Sequence, residues 1–198
     1  MYKRFIKRLI DILVAFFLIP LFSFLFIIVG IAIKIEDGGK IIYKGKRVGK
    51  NKKQYTMYKF RSMKQDAKDI RNSDGSTFNA THDDRVTEVG KIIRKLSVDE
   101  IPQILNVLKG DMSFIGPRPS PIGNEQLYPK DYARKFTIRP GITGFNQAYF
   151  RNDASITEKQ KNDLYYVDNI SFKLDFELLL VTVYKVFKRE GIINKSNN

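Results

Sequence analysis

The run from Ile12 to Ile33, ILVAFFLIPLFSFLFIIVGIAI, is 22 residues long and carries no charge. At about 1.5 Å per residue a helix of that length measures roughly 33 Å, enough to cross the hydrocarbon core of a bilayer. It is apolar on every side, and a chain of 198 residues has little else with which to cover it as a core helix. A cleavable signal peptide fits less well, because the run exceeds the usual apolar h-region and no small-x-small site follows it. A membrane element is therefore expected at the start of the chain.

The flanks bear on how that element sits. Lys3, Arg4, Lys7 and Arg8 precede the run, and Lys34, Lys40, Lys44, Lys46, Arg47, Lys50, Lys52 and Lys53 follow it. Basic residues are retained on the cytoplasmic side, and both clusters can stay there only if the helix enters the membrane and returns. Pro20 supplies a cause for the bend, since it lacks an N–H and crowds the preceding turn. A single span with a mild kink accommodates the same proline, so charge favours re-entry without closing the alternative. The whole chain carries 35 Lys and Arg against 21 Asp and Glu, a formal charge of +14. That excess suits a polyanion, an anionic membrane surface or a phosphorylated small molecule. With no cysteine, disulfides, thiolate metal sites and cysteine nucleophiles are excluded. The lone histidine, His82 in ATHDDR, reads as a surface imidazole, so no histidine metal site is expected.

After Glu36-Asp37-Gly38-Gly39 the composition turns polar and basic, dividing the chain into a membrane element, 1–36, and a cytosolic domain, 37–198. KIIYKGKRVGKNKKQYTMYKFRSM reads as two short strands around a Lys/Gly-rich turn. Helices are expected over 64–71, 87–96, 126–135, 157–168 and 174–190, and from about Glu100 to Lys109 with Gly110 as its stop. NSDGSTFNATHDD and GPRPSPIG are loops. The last helix mixes Leu174, Leu178 and Val181 with Lys185 and Lys188, a pattern of core packing or of lying along a membrane surface. Helices with short strands give an α+β class.

Within KLSVDEIPQILNVLKGDMSFIGPRP, Asp99 and Glu100 stand side by side ahead of Pro102. Ser97-Val98-Asp99-Glu100 fits a capping box. With Ser97 as N-cap, however, Pro102 would fall where its missing N–H breaks an intrahelical bond. A helix starting at Asp99 or later puts the proline in the first turn, where it is tolerated. Such a terminus also keeps nearby carboxylates ionised, as a carboxylate nucleophile or a Mg2+ ligand requires. Arg118, between Pro117 and Pro119, is a guanidinium on a restricted backbone, suited to bidentate phosphate contact. Arg139-Pro140-Gly141-Ile142-Thr143-Gly144 combines a cation and a hydroxyl with glycines whose N–H groups can approach an anion, although ordinary turns use the same residues. Lys59 and Arg61 in YKFRSM add cations. Neither a G-x-x-x-x-G-K-[ST] loop nor a strand–G-x-G-x-x-G–helix unit is present, which argues against a P-loop NTPase or a Rossmann enzyme.

Taken together, YKFRSM, RVTEVGKIIRKLSVDEIPQILNVLKGDMSFIGPRP, RPGITG and YYVDNISFKLDFELLLVTVYKVFKREG resemble the bacterial sugar transferase family, the small monotopic phosphoglycosyl transferases. The resemblance runs from KRLID nearly to the C-terminus. It implies an N-terminal re-entrant membrane helix broken at Pro20, followed by a mainly helical cytosolic domain with short strands and interfacial helices. It implies transfer of a sugar-1-phosphate from a UDP-sugar to undecaprenyl phosphate, releasing UMP at the cytoplasmic face of the bacterial inner membrane. The reaction would pass through a covalent phosphosugar on Asp99, with Glu100 as the ligand of a Mg2+ cofactor. Arg94 and Arg118 match family arginines that hold phosphates. Arg139, Pro140, Gly141 and Thr143, and more loosely Gln147, match its nucleotide-diphosphate loop. Membrane lipids and the downstream glycosyltransferases of a glycoconjugate pathway are the implied partners.

Some positions depart from the family pattern. No serine precedes Pro20, although Ser23 lies one turn on. GGKIIYKGKRVG lacks the usual phenylalanines and glutamine, and GFNQAYFRN replaces a tryptophan-containing stretch. These changes surround the expected donor site and leave the acidic pair intact. A membrane-tethered nucleic-acid-binding protein would also suit the charge, but the cations concentrate beside the apolar run and no nucleic-acid-binding signature is present. The intact acidic pair argues against a catalytically idle scaffold.

Overall fold

The computed structural model describes residues 1–68, 70, 83–150 and 154–188. The apolar run lies within one long helix, α1 (Lys7–Asp37), entered through a single π-type turn at Tyr2–Ile6. Pro20 sits inside α1, and the Ser23 hydroxyl donates to the proline's own carbonyl at 2.7 Å. Asp11, Ala15, Leu18, Ile19, Phe22, Leu25, Phe26, Val29, Gly30 and Ile33 form a buried or half-buried stripe at helical spacing. The opposite face, including Leu13, Phe17, Leu21, Phe24, Ile28 and Ile35, is exposed and wholly apolar. Apolar exposure this extensive marks a surface that meets lipid or protein, and the helix is long and apolar enough to associate with a membrane.

Polar contacts tie both ends of α1 to the same domain. Near its start, Arg8 donates to the Val107 and Leu108 carbonyls at 2.6 and 3.0 Å. Asp11 accepts from the Ser113 hydroxyl and the Phe114 N–H. At its end, Glu36 accepts from the Val89 N–H, and Asp37 takes both terminal nitrogens of Arg61. That fork holds the Asp37 carboxyl down to about 2.

Strands β1 (Ile42–Val48) and β2 (Gln54–Phe60) form the expected antiparallel hairpin, in register from Ile42↔Phe60 to Val48↔Gln54. The short β4 (Ser120–Pro121) pairs with the other side of β1, leaving β2 at a sheet edge. Two further short strands, β3 (Ser113–Ile115) and β5 (Gly141–Thr143), pair in parallel. The helices are α2 (Glu88–Lys95), α3 (Ile104–Lys109), α4 (Phe145–Tyr149), α5 (Ile156–Asp168) and α6 (Phe172–Lys188). Ala15 and its neighbours on α1 pack with Tyr55, Met57, Ile104, Val107 and Met112, whereas Val29 and Ile33 pack with Phe60 and Ile93. A third cluster joins Ile115, Ile138 and Ala148 to Tyr166, Val167 and Leu178. On α6, Leu178 is buried while Phe172, Phe176, Leu180 and Tyr184 are exposed, so this helix presents a second apolar surface.

Two expected helices do not form. Over 126–135, Pro129 removes a donor and crowds the preceding turn, leaving 3₁₀ turns at Asn124–Gln126 and Tyr132–Thr137. Residues 64–68 make a turn because the backbone is committed elsewhere: Met63 bridges Val86, and the Lys64 N–H donates to the Arg85 carbonyl at 2.7 Å. The remainder of the expected 64–71 helix, apart from Ile70, lies outside the described residues. So do His82, most of NSDGSTFNATHDD, and the expected stop at Gly191. A reciprocal capping box is formed by Ser155 and Glu158 at the start of α5.

Candidate active site

Lys59, near the end of β2, faces the Asp99–Glu100 pair across a tight reversal. Helix α2 begins at a Thr87 cap, whose hydroxyl accepts from the Gly90 N–H at 3.0 Å. It lies hard against the chain leaving β2: a Cβ on Gly90 would stand 2.0 Å from the Ser62 carbonyl oxygen. After α2 the chain turns through Ser97, which is left-handed at φ 57, into a 3₁₀ turn at Val98–Gln103. Ser97 makes no side-chain cap there, in keeping with the argument from Pro102 against it as N-cap. The α-helical geometry starts only at Ile104, beyond Pro102.

Asn106 fixes this unit to the hairpin. Fully buried, it donates to the Thr56 carbonyl at 2.7 Å and accepts from the Tyr58 N–H at 3.0 Å. It thereby satisfies the free edge of β2, where unpaired backbone groups would otherwise be buried. The register of α3 against β2 then sets Lys59 over the pair. Lys59 Nζ donates to Glu100 Oε1 at 2.5 Å and lies 3.8 Å from Asp99 Oδ2. All these side chains are largely withdrawn from water, with Asp99 exposed by 14 % and Glu100 by 27 %.

The two carboxyls are driven apart. Burial pushes Asp99 up, Lys59 pulls it back, Glu100 pushes it up again and Arg94 opposes; the net direction is up. Burial also pushes Glu100 up, but Lys59, Arg118 and a hydrogen bond with the buried Gln103 more than offset it; the net direction is down. Glu100 is thus the firm anion, held by side-chain cations more than by a helix terminus. Asp99 is the less stabilised carboxylate of the two. An anion with several negative charges arriving here would meet Lys59, Arg94 and the exposed Arg118.

The other residues singled out from the sequence have different partners. Arg61 spends its fork on Asp37 and the Lys40 carbonyl, stapling the end of α1. Arg139 Nε donates to the Gly110 carbonyl at 2.7 Å. The Gly141 N–H donates to the Pro117 carbonyl and the Gly116 N–H to the Thr143 carbonyl, so these glycines interlock two loops. A Cβ on Gly141 would stand 2.1 Å from the Gly116 nitrogen. The Thr143 and Thr182 hydroxyls share a 2.8 Å hydrogen bond against α6. The polar atoms of Gln147 are closed to solvent and have no hydrogen-bond partner among the described residues. Pro140 borders a small hollow with Arg118 and Lys135. Lys135 itself is buried against Asp163 at 3.2 Å and the Tyr132 hydroxyl at 2.7 Å. The sequence reading missed Asn106, Gln103 and Lys135. Only Gln103 left a trace, being three residues beyond Glu100 on the same turn.

Fold and site define a class: an α+β domain with a long apolar N-terminal helix and a pair of carboxylates set among cations. The chain matches the bacterial sugar transferase family over residues 2–189 and belongs to it. It is 43 % identical over 187 residues to the sugar transferase EpsL of Bacillus subtilis, covering 94 % of this chain and 90 % of that protein. It is 42 % identical over 193 residues to the UDP-N-acetylgalactosamine-undecaprenyl-phosphate N-acetylgalactosaminephosphotransferase of Aeromonas hydrophila, covering 94 % of this chain and 45 % of that protein. It is 36 % identical over 199 residues to the UDP-glucose:undecaprenyl-phosphate glucose-1-phosphate transferase of Klebsiella pneumoniae, covering 96 % of this chain and 41 % of that protein. The chain thus spans less than half the length of the last two relatives.

Proposed function

We propose that the chain is a phosphoglycosyl transferase that moves a sugar-1-phosphate from a UDP-sugar to undecaprenyl phosphate at the cytoplasmic face of the bacterial inner membrane. The observation that carries this reading is the Lys59–Glu100–Asp99 constellation, one firm anion and one raised carboxylate under a single ammonium. The names of the Aeromonas and Klebsiella relatives support the donor and acceptor classes.

In the first half-reaction an oxygen of ionised Asp99 attacks the phosphorus that bears the sugar. The bond from that phosphorus to the bridging oxygen breaks, and UMP leaves with the electron pair. In the second, a phosphate oxygen of undecaprenyl phosphate attacks the same phosphorus and releases the Asp99 carboxylate. A carboxylate approaching a diphosphate is repelled by it, and Lys59, Arg94 and Arg118 would offset that repulsion. Glu100, with Asp99 beside it, supplies hard oxygen donors of the kind Mg2+ takes alongside substrate phosphates. Mg2+ bound there would supply further charge neutralisation. Lys59 would keep Glu100 ionised and positioned in either case.

The polar ties at both ends of α1 support a helix that enters the lipid and returns. Its exposed apolar face and that of α6 would rest in the membrane. The test is UMP release by purified protein given Mg2+, undecaprenyl phosphate and a panel of UDP-sugars. Release with at least one donor supports the reading, and no release with any donor favours an idle scaffold.

A further inference from the structure

Glu36, near the end of α1, accepts from the Val89 N–H at 3.1 Å, across 53 residues of chain. Helix α2 has a local cap without it, because Thr87 already takes the Gly90 N–H. Glu36 therefore holds a second free N–H of the same terminus, where the helix dipole also favours a carboxylate. Its other oxygen, Oε2, is closed to solvent and has no hydrogen-bond partner among the described residues. An enclosed carboxylate oxygen is costly, so this contact is not an incidental surface pairing.

Two further contacts set α2 in place. Ile93 packs with Val29 and Ile33 of α1, and Gly90 meets the Ser62 backbone too closely to admit a side chain. Val98 and Ile101, on either side of the acidic pair, pack against the same cluster as Ile93. The eight residues of α2 measure about 12 Å at ~1.5 Å per residue. Arg94, one of the cations that face Asp99, stands in its last turn. Beyond Leu96, the left-handed Ser97 turns the chain directly into the acidic pair. A short helix packed on both sides moves as a rigid piece, so a shift at its first turn reaches its last.

We infer that Glu36 is a positioning residue for attack by Asp99: its carboxylate seats α2 on the end of α1, and α2 holds Arg94 and the Asp99 turn in place against Lys59. The inference rests on the phosphoglycosyl transferase reading above. It makes the end of the apolar helix a part of the reacting machinery, acting through one hydrogen bond. The affected step is the first half-reaction, in which the bond from Asp99 to phosphorus forms and UMP leaves. Lys59 and Arg118 stand on other elements, so donor affinity should depend on Glu36 far less than the rate of attack does.

The rate of covalent adduct formation tests this, read as the mass of the full chain in detergent after rapid mixing with a UDP-sugar that the parent turns over. At saturating donor, Glu36→Ala is expected to form the adduct at least fivefold more slowly, with the half-saturating donor concentration changed less than twofold. Glu36→Gln keeps an oxygen for the Val89 N–H and should stay within twofold of the parental rate. Ser155→Ala removes a cap of the same kind from α5 and should react at the parental rate, which separates positioning from general loosening. If circular dichroism shows that Glu36→Ala does not fold, Glu36→Asp, one methylene short of the N–H, should be slowed at least twofold. A parental rate in the shortened variant, equal slowing in Ser155→Ala or Glu36→Gln, or a loss confined to donor affinity would each overturn the inference. Absence of any adduct from the parent is a separate result, which removes Asp99 as nucleophile and this inference with it.

Discussion

Lys59 Nζ stands 2.5 Å from Glu100 Oε1 and donates its hydrogen bond there, while Asp99 is left 3.8 Å away. One ammonium therefore treats two neighbouring carboxylates unequally. Replacing Lys59 by Met should leave Glu100 part-buried and without its ion-pair partner. Turnover should fall by about 10²-fold or more, as when a preorganised charge is removed from an active site. Stability should fall by about 1–2 kcal/mol, less than for a fully buried pair because water still reaches both side chains. UMP release and urea unfolding of the variant check both numbers, and near-parental turnover would remove Lys59 from the mechanism.

With Asp99 as the attacking group, its raised carboxyl should set the acid side of the pH profile. The attacking group must be ionised, so kcat/KM should decline on acidification at a pH above the ordinary aspartate range of about 3.9. Lys59→Met removes the cation that lowers both carboxyls, so the same limb should move to higher pH. A parental profile flat down to the ordinary aspartate range would contradict the assignment.

The loops carrying Arg118 and Arg139 should behave as one unit. A methyl group on Gly141 would meet the Gly116 nitrogen at 2.1 Å and the Thr143 carbonyl oxygen at 2.2 Å, both rigid backbone atoms. Gly141→Ala should therefore cost roughly 1–3 kcal/mol, the range of overpacked interiors. It should also lower turnover by displacing Arg118, and thermal unfolding beside UMP release would show both effects. Unchanged stability would mean that the two loops can separate freely.

This interlock shows where sequence reasoning reached its limit. RPGITG reads as an anion cradle when only its own residues are considered, but its glycine N–H partner, the Pro117 carbonyl, lies more than twenty residues away in the chain. The partner of Arg61 is equally distant in the chain, since Asp37 reaches it from the end of α1. Local signals served well elsewhere: alternation marked the β1–β2 hairpin, and helical spacing marked α2, α5 and α6. The buried stripe of α1 could not be read because both of its faces are equally apolar. Asn106 was hidden among helical residues, and only the free edge of β2 gives its amide a purpose.

The topology of α1 has its own test. The chain has no cysteine, so single cysteines at the exposed positions Arg4 and Lys44 report on either side of the apolar run without interference. A helix that enters and returns predicts labelling of both positions from the cytoplasm alone. Labelling of position 4 from outside would establish a simple span.

The most direct measurement is the mass of the intact chain after mixing with its UDP-sugar donor in the absence of undecaprenyl phosphate. The account predicts a covalent adduct equal to one sugar phosphate. The adduct should map to Asp99, be absent from Asp99→Asn and disappear when the acceptor is added. A donor that is turned over with no adduct at any time, or an adduct that persists in Asp99→Asn, would contradict it.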